Sequence, residues 1–162
     1  MSQHAPSRST PAAPVHSQVT VEASRERAFD FFTRHMAAWW SPSHSIGQRP
    51  FATIVVEPRE GGRWCEVDDA GVECRWGSVL AWQPPERLLL RWQLDGRWSY
   101  DPDLLTEVEV RFEAVGPTTT RVVLEHRGLE AYGDDAAEVR DQLDAAGGWR
   151  GLLERLAAAL RG

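Results

Sequence analysis

A chain of 162 residues, 42% hydrophobic and 26% charged, is too apolar to stay unfolded and long enough for one core, since a domain of about 150 residues buries about 68–70% of the surface its unfolded chain exposes. The formal net charge of -6 argues against nucleic acid as a partner, because a phosphate backbone is met by a positive face. No apolar run approaches the roughly 18 residues of a membrane span, and two cysteines, Cys65 and Cys74, make neither a disulfide framework nor a metal cluster.

Tryptophan is the unusual component. Eight of these large side chains imply one well-filled core or one aromatic-walled cavity. The N-terminal residues 1–14, rich in Pro, Ser and Ala, lack the continuous apolar stretch of a signal peptide and read as a disordered tail before a domain spanning 15–162. A cytoplasmic location is the corresponding expectation.

Alternation from Val15 to Glu22 predicts a first strand with Val19 and Val21 on one face. Ser24 is a candidate N-cap for a helix over Arg25 to Thr33, with Ala28, Phe29 and Phe32 on one stripe. A further helical turn fits His35 to Trp40 and ends at Ser41-Pro42, where the residue before proline is pushed out of the α region. After a loop to Pro50 the period changes to two. Strands are expected over Thr53–Glu57, Arg63–Asp68, Val72–Trp82, Arg87–Leu94, Thr106–Ala114 and Thr119–Arg127, separated by Gly, Pro and Asp turn signals. Leu88, Leu90, Trp92 and Leu94 share one face of their strand; so do Val108, Val110 and Phe112, and Val122, Leu124 and His126. Arg and Glu fill the other face, the pattern of an antiparallel sheet covered on one side. The chain ends in a helix whose stripe is Trp149, Leu152, Leu153, Leu156 and Leu160, and Gly147-Gly148 predicts a bend between it and the helical segment Asp135 to Ala146.

For the hairpin that turns at Asp68 to Gly71, the apolar pattern favours Cys65 facing Cys74 and Val67 facing Val72. Cys65, Val67, Cys74 and Trp76 then share the inner face, with Glu66, Glu73 and Arg75 outside. The competing register is a three-residue loop with Gly71 at positive φ, which sets Cys65 opposite Arg75. A cross-strand disulfide is not expected in a reducing compartment.

Trp39-Trp40, Pro58-Arg59-Glu60-Gly61-Gly62-Arg63-Trp64, Trp76-Gly77-Ser78-Val79-Leu80, Pro84-Pro85-Glu86-Arg87-Leu88, Thr106 to Phe112 and Gly148-Trp149 with its leucine stripe occur in an order that resembles the START-like (SRPBCC, birch-pollen-allergen-like) superfamily. Within it, the string is similar to the C-terminal part of the activators of the ninety-kilodalton heat-shock protein's ATPase. The resemblance runs from about Val15 to the end. It implies an α+β helix-grip fold, in which a curved antiparallel sheet of about seven strands wraps a long C-terminal helix, with two short helices after the first strand. It also implies a cavity between sheet and helix of the kind the superfamily uses for lipids, hormones, polyketides and aromatic compounds. The resemblance does not imply co-chaperone work, and a counterpart of the co-chaperones' N-terminal chaperone-binding domain is not expected before the first strand.

Site expectations follow. A small hydrophobic ligand would be held by Trp40, Trp76, Trp92, Trp98, Val108, Val110, His126, Trp149 and Leu153, in a cavity of about 300–1,000 Å3. Trp39 and Trp40 would cover the mouth. Trp98 and Tyr100 form the opposite rim or a homodimer contact. His126 reads either as a hydrogen-bonded structural histidine or as a proton donor or acceptor for the ligand. An enzyme, of cyclase, dehydratase or hydrolase type, needs a carboxylate near His126, and no acidic residue is in phase with the inner face. No catalytic constellation emerges: there is no nucleophile elbow, and neither cysteine starts a helix. His16, His35 and His44 have no metal spacing, Gly61-Gly62 leads into a strand and is no phosphate loop, and no cofactor is called for. A co-chaperone-like or regulator-associated interaction module would need a patch on the outer sheet face, which is mixed Arg and Glu.

Overall fold

The computed structural model describes residues 13–161; the expected tail, apart from Ala13 and Pro14, lies outside the described residues. In chain order the elements are β1 (Val15–Val21), α1 (Arg25–Arg34), α2 (Met36–Trp39), β2 (Phe51–Val56), β3 (Arg63–Asp68), β4 (Glu73–Gln83), β5 (Arg87–Trp92), β6 (Thr106–Gly116), β7 (Thr119–Arg127), α3 (Ala136–Asp144) and α4 (Trp149–Arg161). Short 3-10 segments at Pro42–His44 and Leu129–Asp135 occupy stretches with no sequence periodicity. The seven strands form one antiparallel sheet in the order β1-β7-β6-β5-β4-β3-β2. It curls round α4 in the α+β helix-grip arrangement. The sequence neighbours β1 and β2 lie at opposite edges, so α1 and α2 carry the chain across the concave side between them.

Local chemistry accounts for each boundary. Ser24 Oγ accepts the Arg27 N–H at 3.1 Å and starts α1, as an N-cap serine does. Phe29 and Phe32 then meet the Phe112 ring edge-on, with centroids 5.1 and 5.6 Å away. α2 stops because Trp40 and Ser41, before Pro42, are extended. The inner face is buried as alternation predicts: Leu88, Leu90, Trp92, Val108, Val110, Phe112, Val122, Leu124 and His126 are all inaccessible or nearly so. On the outer face Glu109 sits among Arg87, Arg111 at 3.3 Å and Arg127 at 3.0 Å. Burial alone would push its carboxyl up, but the guanidiniums outweigh it and hold the group at about 2.

Two expectations about the β3–β4 hairpin are overturned. Cys65 pairs with Arg75 and Glu66 with Cys74, so the two cysteines do not face each other, and both are free. The turn decides the register. Gly71 N–H donates to Asp68 O, Asp68 N–H donates to Val72 O, and Gly71 takes φ +83°, a three-residue loop ending in a left-handed residue. A β-bulge between Trp64 and Cys65 then shifts the pairing again. The inner side of the hairpin therefore carries Trp64, Glu66 and Trp76, all about 1% exposed or less, while Val72 is 56% exposed.

The bend at Gly147-Gly148 is present. α3 ends at Asp144, and α4 begins at Trp149 so close to it that a Cβ on Gly148 would stand 2.1 Å from Leu143 O. Trp149, Leu152, Leu153, Leu156 and Leu160 are buried, as the stripe predicts. Gly148→Ala is expected to cost about 1–3 kcal/mol, the usual range for overpacking, seen as a lower urea midpoint with an unchanged m-value.

Candidate functional site

The tryptophans converge on one end of the sheet. Trp76 comes from β4, Trp92 from β5, Trp149 from the first turn of α4, Trp40 from the end of α2 and Trp98 from the β5–β6 connection. Together they wall a cleft of about 180 Å3 that opens to solvent. Ring centroids are 5.0 Å apart for Trp40 and Trp76, 5.6 Å for Trp40 and Trp149, 5.5 Å for Trp92 and Trp149, and 6.3 Å for Trp92 and Trp98. Ile46, Leu94, Leu143 and Leu152 add apolar wall; Ser43, His44, Ser45 and Gln142 supply its polar side chains. The volume is below the expected range of about 300–1,000 Å3, because indoles fill much of the space between sheet and helix. A wider groove beside α1, bordered by Glu26, Asp30 and Trp82, is a more open surface feature.

His126 is not in the cleft wall. Its ring is fully buried between Trp92 and Trp149, with both nitrogens committed. Trp149 Nε1–H donates to Nδ1 at 3.0 Å. The Thr106 hydroxyl donates to Trp92 O at 2.8 Å and thus accepts from His126 Nε2–H at 3.0 Å. This pattern admits only the neutral Nε2–H tautomer, and burial pushes the imidazole down to about 3. The ligand-facing reading of His126 is therefore corrected to its structural alternative. Val108, Val110 and Leu153 likewise lie in the core behind the wall.

The expectation that no acid faces inward is also corrected. Glu66, about 1% exposed, accepts the Ile46 N–H at 2.9 Å and the Trp76 Nε1–H at 3.1 Å through Oε1, and the Gly47 N–H at 3.3 Å through Oε2. It lies one layer behind the cleft and ties the Ser45–Gly47 segment to the Trp76 indole. Sequence reasoning missed it because the hairpin register decides its face.

His44 is the one titratable side chain among the described residues lining the cleft. It is exposed at the cleft rim; partial desolvation, followed by the Arg155 charge, lowers its pKa, so near pH 7 the imidazole is neutral and offers one donor and one acceptor nitrogen. Trp40 has a different distinction. Trp39, Trp64, Trp76, Trp92 and Trp149 each donate their N–H to a partner, but the buried Trp40 Nε1 has none among the described residues. Trp98, 42% exposed, is the only non-glycine described at positive φ, +62°, a conformation costing an L-residue about 1–2 kcal/mol.

Residues 22–161 match the family described as activator of Hsp90 ATPase homolog 1-like protein. The chain belongs to this family. Among solved structures it is similar to an anthrahydroquino-gamma-pyrone synthase, Txn09, complexed with SUM, at 39% identity over 91% of this chain and 97% of that one, with a TM-score of 0.65. It is similar also to CalC of Micromonospora echinospora, a self-sacrificing resistance protein, at 30% identity over 92% and 94% of the two chains, with a TM-score of 0.70. The Aha1 dimer of Colwellia psychrerythraea, 17% identical over 91% and 96% with a TM-score of 0.60, shares the fold. No curated protein matches the chain. Within this family member no described helix is long and apolar enough to cross a membrane, and no described cluster of His, Cys, Asp or Glu could hold a metal ion.

The buried imidazole makes a pH prediction. The unfolded chain binds a proton at His126 below its ordinary pKa near 6.5, whereas the folded chain excludes it down to about 3. Stability is therefore full above pH 6.5 and falls through that window, by up to about 1.4 kcal/mol per pH unit from this group. Glu109 adds to the loss only below its ordinary carboxyl range. Urea titrations from pH 7 to 5 should show the slope in the wild type and a much flatter one in His126→Asn.

Proposed function

We propose that the chain binds a flat, polycyclic aromatic small molecule of the polyketide kind, with its rings between the indoles of the cleft. The carrying observation is that five tryptophans from five different segments converge there while no Arg, Asp or Glu lines it among the described residues. Such a wall favours large uncharged π-surfaces, by offset or edge-to-face contact and by area removed from water. The likeness to a protein named as an anthrahydroquino-gamma-pyrone synthase supports the same ligand class. The cleft is an open one, so a fused-ring ligand would extend from the indole box toward the mouth.

His44 favours a second reading, in which the bound aromatic also undergoes acid–base chemistry. It stands in the wall, open to solvent, and its lowered pKa leaves it neutral near pH 7. In closing a pyrone from a 2-hydroxyaryl 1,3-diketone, the imidazole would take the phenol proton as the oxygen adds to the ketone carbon and pass it to the new alkoxide; it would then take a proton from the carbon between the carbonyls and deliver it to the hemiketal hydroxyl, which leaves as water as the ring C=C forms. In this reading His44, which lines the cleft, takes the part that the alternative enzyme reading of the sequence gave to His126.

The first reading is tested with 1,8-dihydroxyanthraquinone: saturable quenching of tryptophan emission is expected, and its absence would sink the reading. Under the second, His44→Ala should bind that probe normally yet cyclise a 2-hydroxyaryl 1,3-diketone about 100-fold or more slower than wild type, the usual weight of general acid–base catalysis. Equal rates would leave binding alone.

A further inference from the structure

The chain contains the same tight turn twice. In the first, Asp68 O accepts the N–H of Gly71 at 3.0 Å, Asp68 N–H donates to Val72 O at 3.0 Å, and Asp68 Oδ1 accepts the N–H groups of Ala70 and Val72 at 2.9 Å each. In the second, Asp95 O accepts the N–H of Trp98 at 2.9 Å, Asp95 N–H donates to Ser99 O at 2.8 Å, and Asp95 Oδ1 accepts the N–H groups of Arg97 and Ser99 at 2.8 and 3.0 Å. The hydrogen bonds correspond one for one, and in both the fourth residue is left-handed: φ +83° at Gly71, +62° at Trp98. At a position that glycine occupies without strain and a side chain does not, one copy of the turn carries the bulkiest side chain available.

That substitution occurs only where the turn meets the cleft. The Gly71 turn leads into the exposed Val72 and lines neither the cleft nor the groove beside α1, whereas Trp98 contributes to the cleft wall, edge-on to Trp92. Yet Trp98 is 42% exposed, so its strain is not repaid by burial in the protein alone. Strained backbone held by surrounding hydrogen bonds is concentrated at ligand clamps. The turn is also anchored from outside the loop: Leu94 bridges Tyr100, the Asp101 N–H donates to Gln93 O at 2.8 Å, and the Arg75 guanidinium lies over the Tyr100 ring at 5.9 Å.

We propose that Trp98 is a ligand clamp: the left-handed turn holds its indole over the cleft mouth, and a planar aromatic ligand seated against Trp92 completes its burial. The inference rests on the reading of the cleft as an aromatic-ligand site and names the side chain that sets affinity there. It assigns Trp98 to ligand contact and leaves the subunit-interface alternative unused.

The test uses the full chain, 1,8-dihydroxyanthraquinone and two variants, Trp98→Gly and Trp98→Asn, both suited to a left-handed residue. Affinity is read by ligand fluorescence or calorimetry, so that losing one tryptophan does not distort the signal, and melting temperature is measured without ligand. Both variants should melt no lower than wild type while the dissociation constant rises about three- to tenfold, the weight of one aromatic contact, and Trp98→Phe should recover part of the affinity. Wild-type affinity in the glycine and asparagine variants overturns the clamp and leaves the site reading standing. A melting temperature lowered by several degrees in both also overturns it, because Trp98 would then be holding the fold. Failure of the wild type to bind the probe overturns the site reading and the clamp with it.

Discussion

One chain of hydrogen bonds, from Trp149 Nε1 through the His126 ring and the Thr106 hydroxyl to Trp92 O, joins the first turn of α4 to three adjacent strands. Each member is buried, and a buried polar group left without its partner costs more than the bond contributes when made. The chain therefore specifies one placement of α4 on the sheet. An apolar stripe packed on an apolar face could slide or rotate with modest change in buried area; these directional groups cannot. Tyr132 extends the same logic, accepting the Trp92 indole N–H and donating to Leu94 O at 2.6 Å. The back wall of the cleft is rigid as a consequence.

Glu66 does on the opposite side what His126 does behind Trp149. Its carboxylate gathers two backbone N–H groups of the Ile46–Gly47 segment and the Trp76 indole, fixing the loop that carries His44 relative to β4. Trp76, Trp92 and Trp149 thus face the cleft already oriented by bonds on their far edges. A ligand entering such a box loses little affinity to ordering of side chains. Trp98, on its strained turn, stands outside these networks and keeps accessible indole surface for a ligand.

The family fold hosts proteins named for different work, among them a pyrone synthase, a self-sacrificing resistance protein and an Aha1 dimer, and a fold by itself does not choose between such roles. In this chain the core of the sheet is spent on structure. Val108, Val110, Leu153 and His126 are packed solid, and the cleft is confined to the end of the sheet where α2, the β5–β6 turn and the α3–α4 elbow meet.

Period-two alternation made β5, β6 and β7 legible, because each strand has one buried and one wet face and the side-chain period leaves a single solution. The α4 stripe, the Ser24 cap and the elbow at Gly148 were legible for equally local reasons. The convergence of Trp40, Trp76, Trp92, Trp98 and Trp149 could be anticipated from the abundance of tryptophan, once the family resemblance supplied the geometry of the fold. Tertiary structure alone decided three other matters. The face of Glu66 depends on a turn type and a bulge that shift β3 against β4, since one residue of slip exchanges inside for outside. The roles of His126 and His44 depend on which nitrogens find partners from distant segments, and alternation records a face but not what stands opposite it. The left-handed backbone of Trp98, as distinct from its place at the rim, was not legible because a positive φ is set by the closure of the whole turn, whose hydrogen bonds hold the backbone where no local preference of tryptophan would put it.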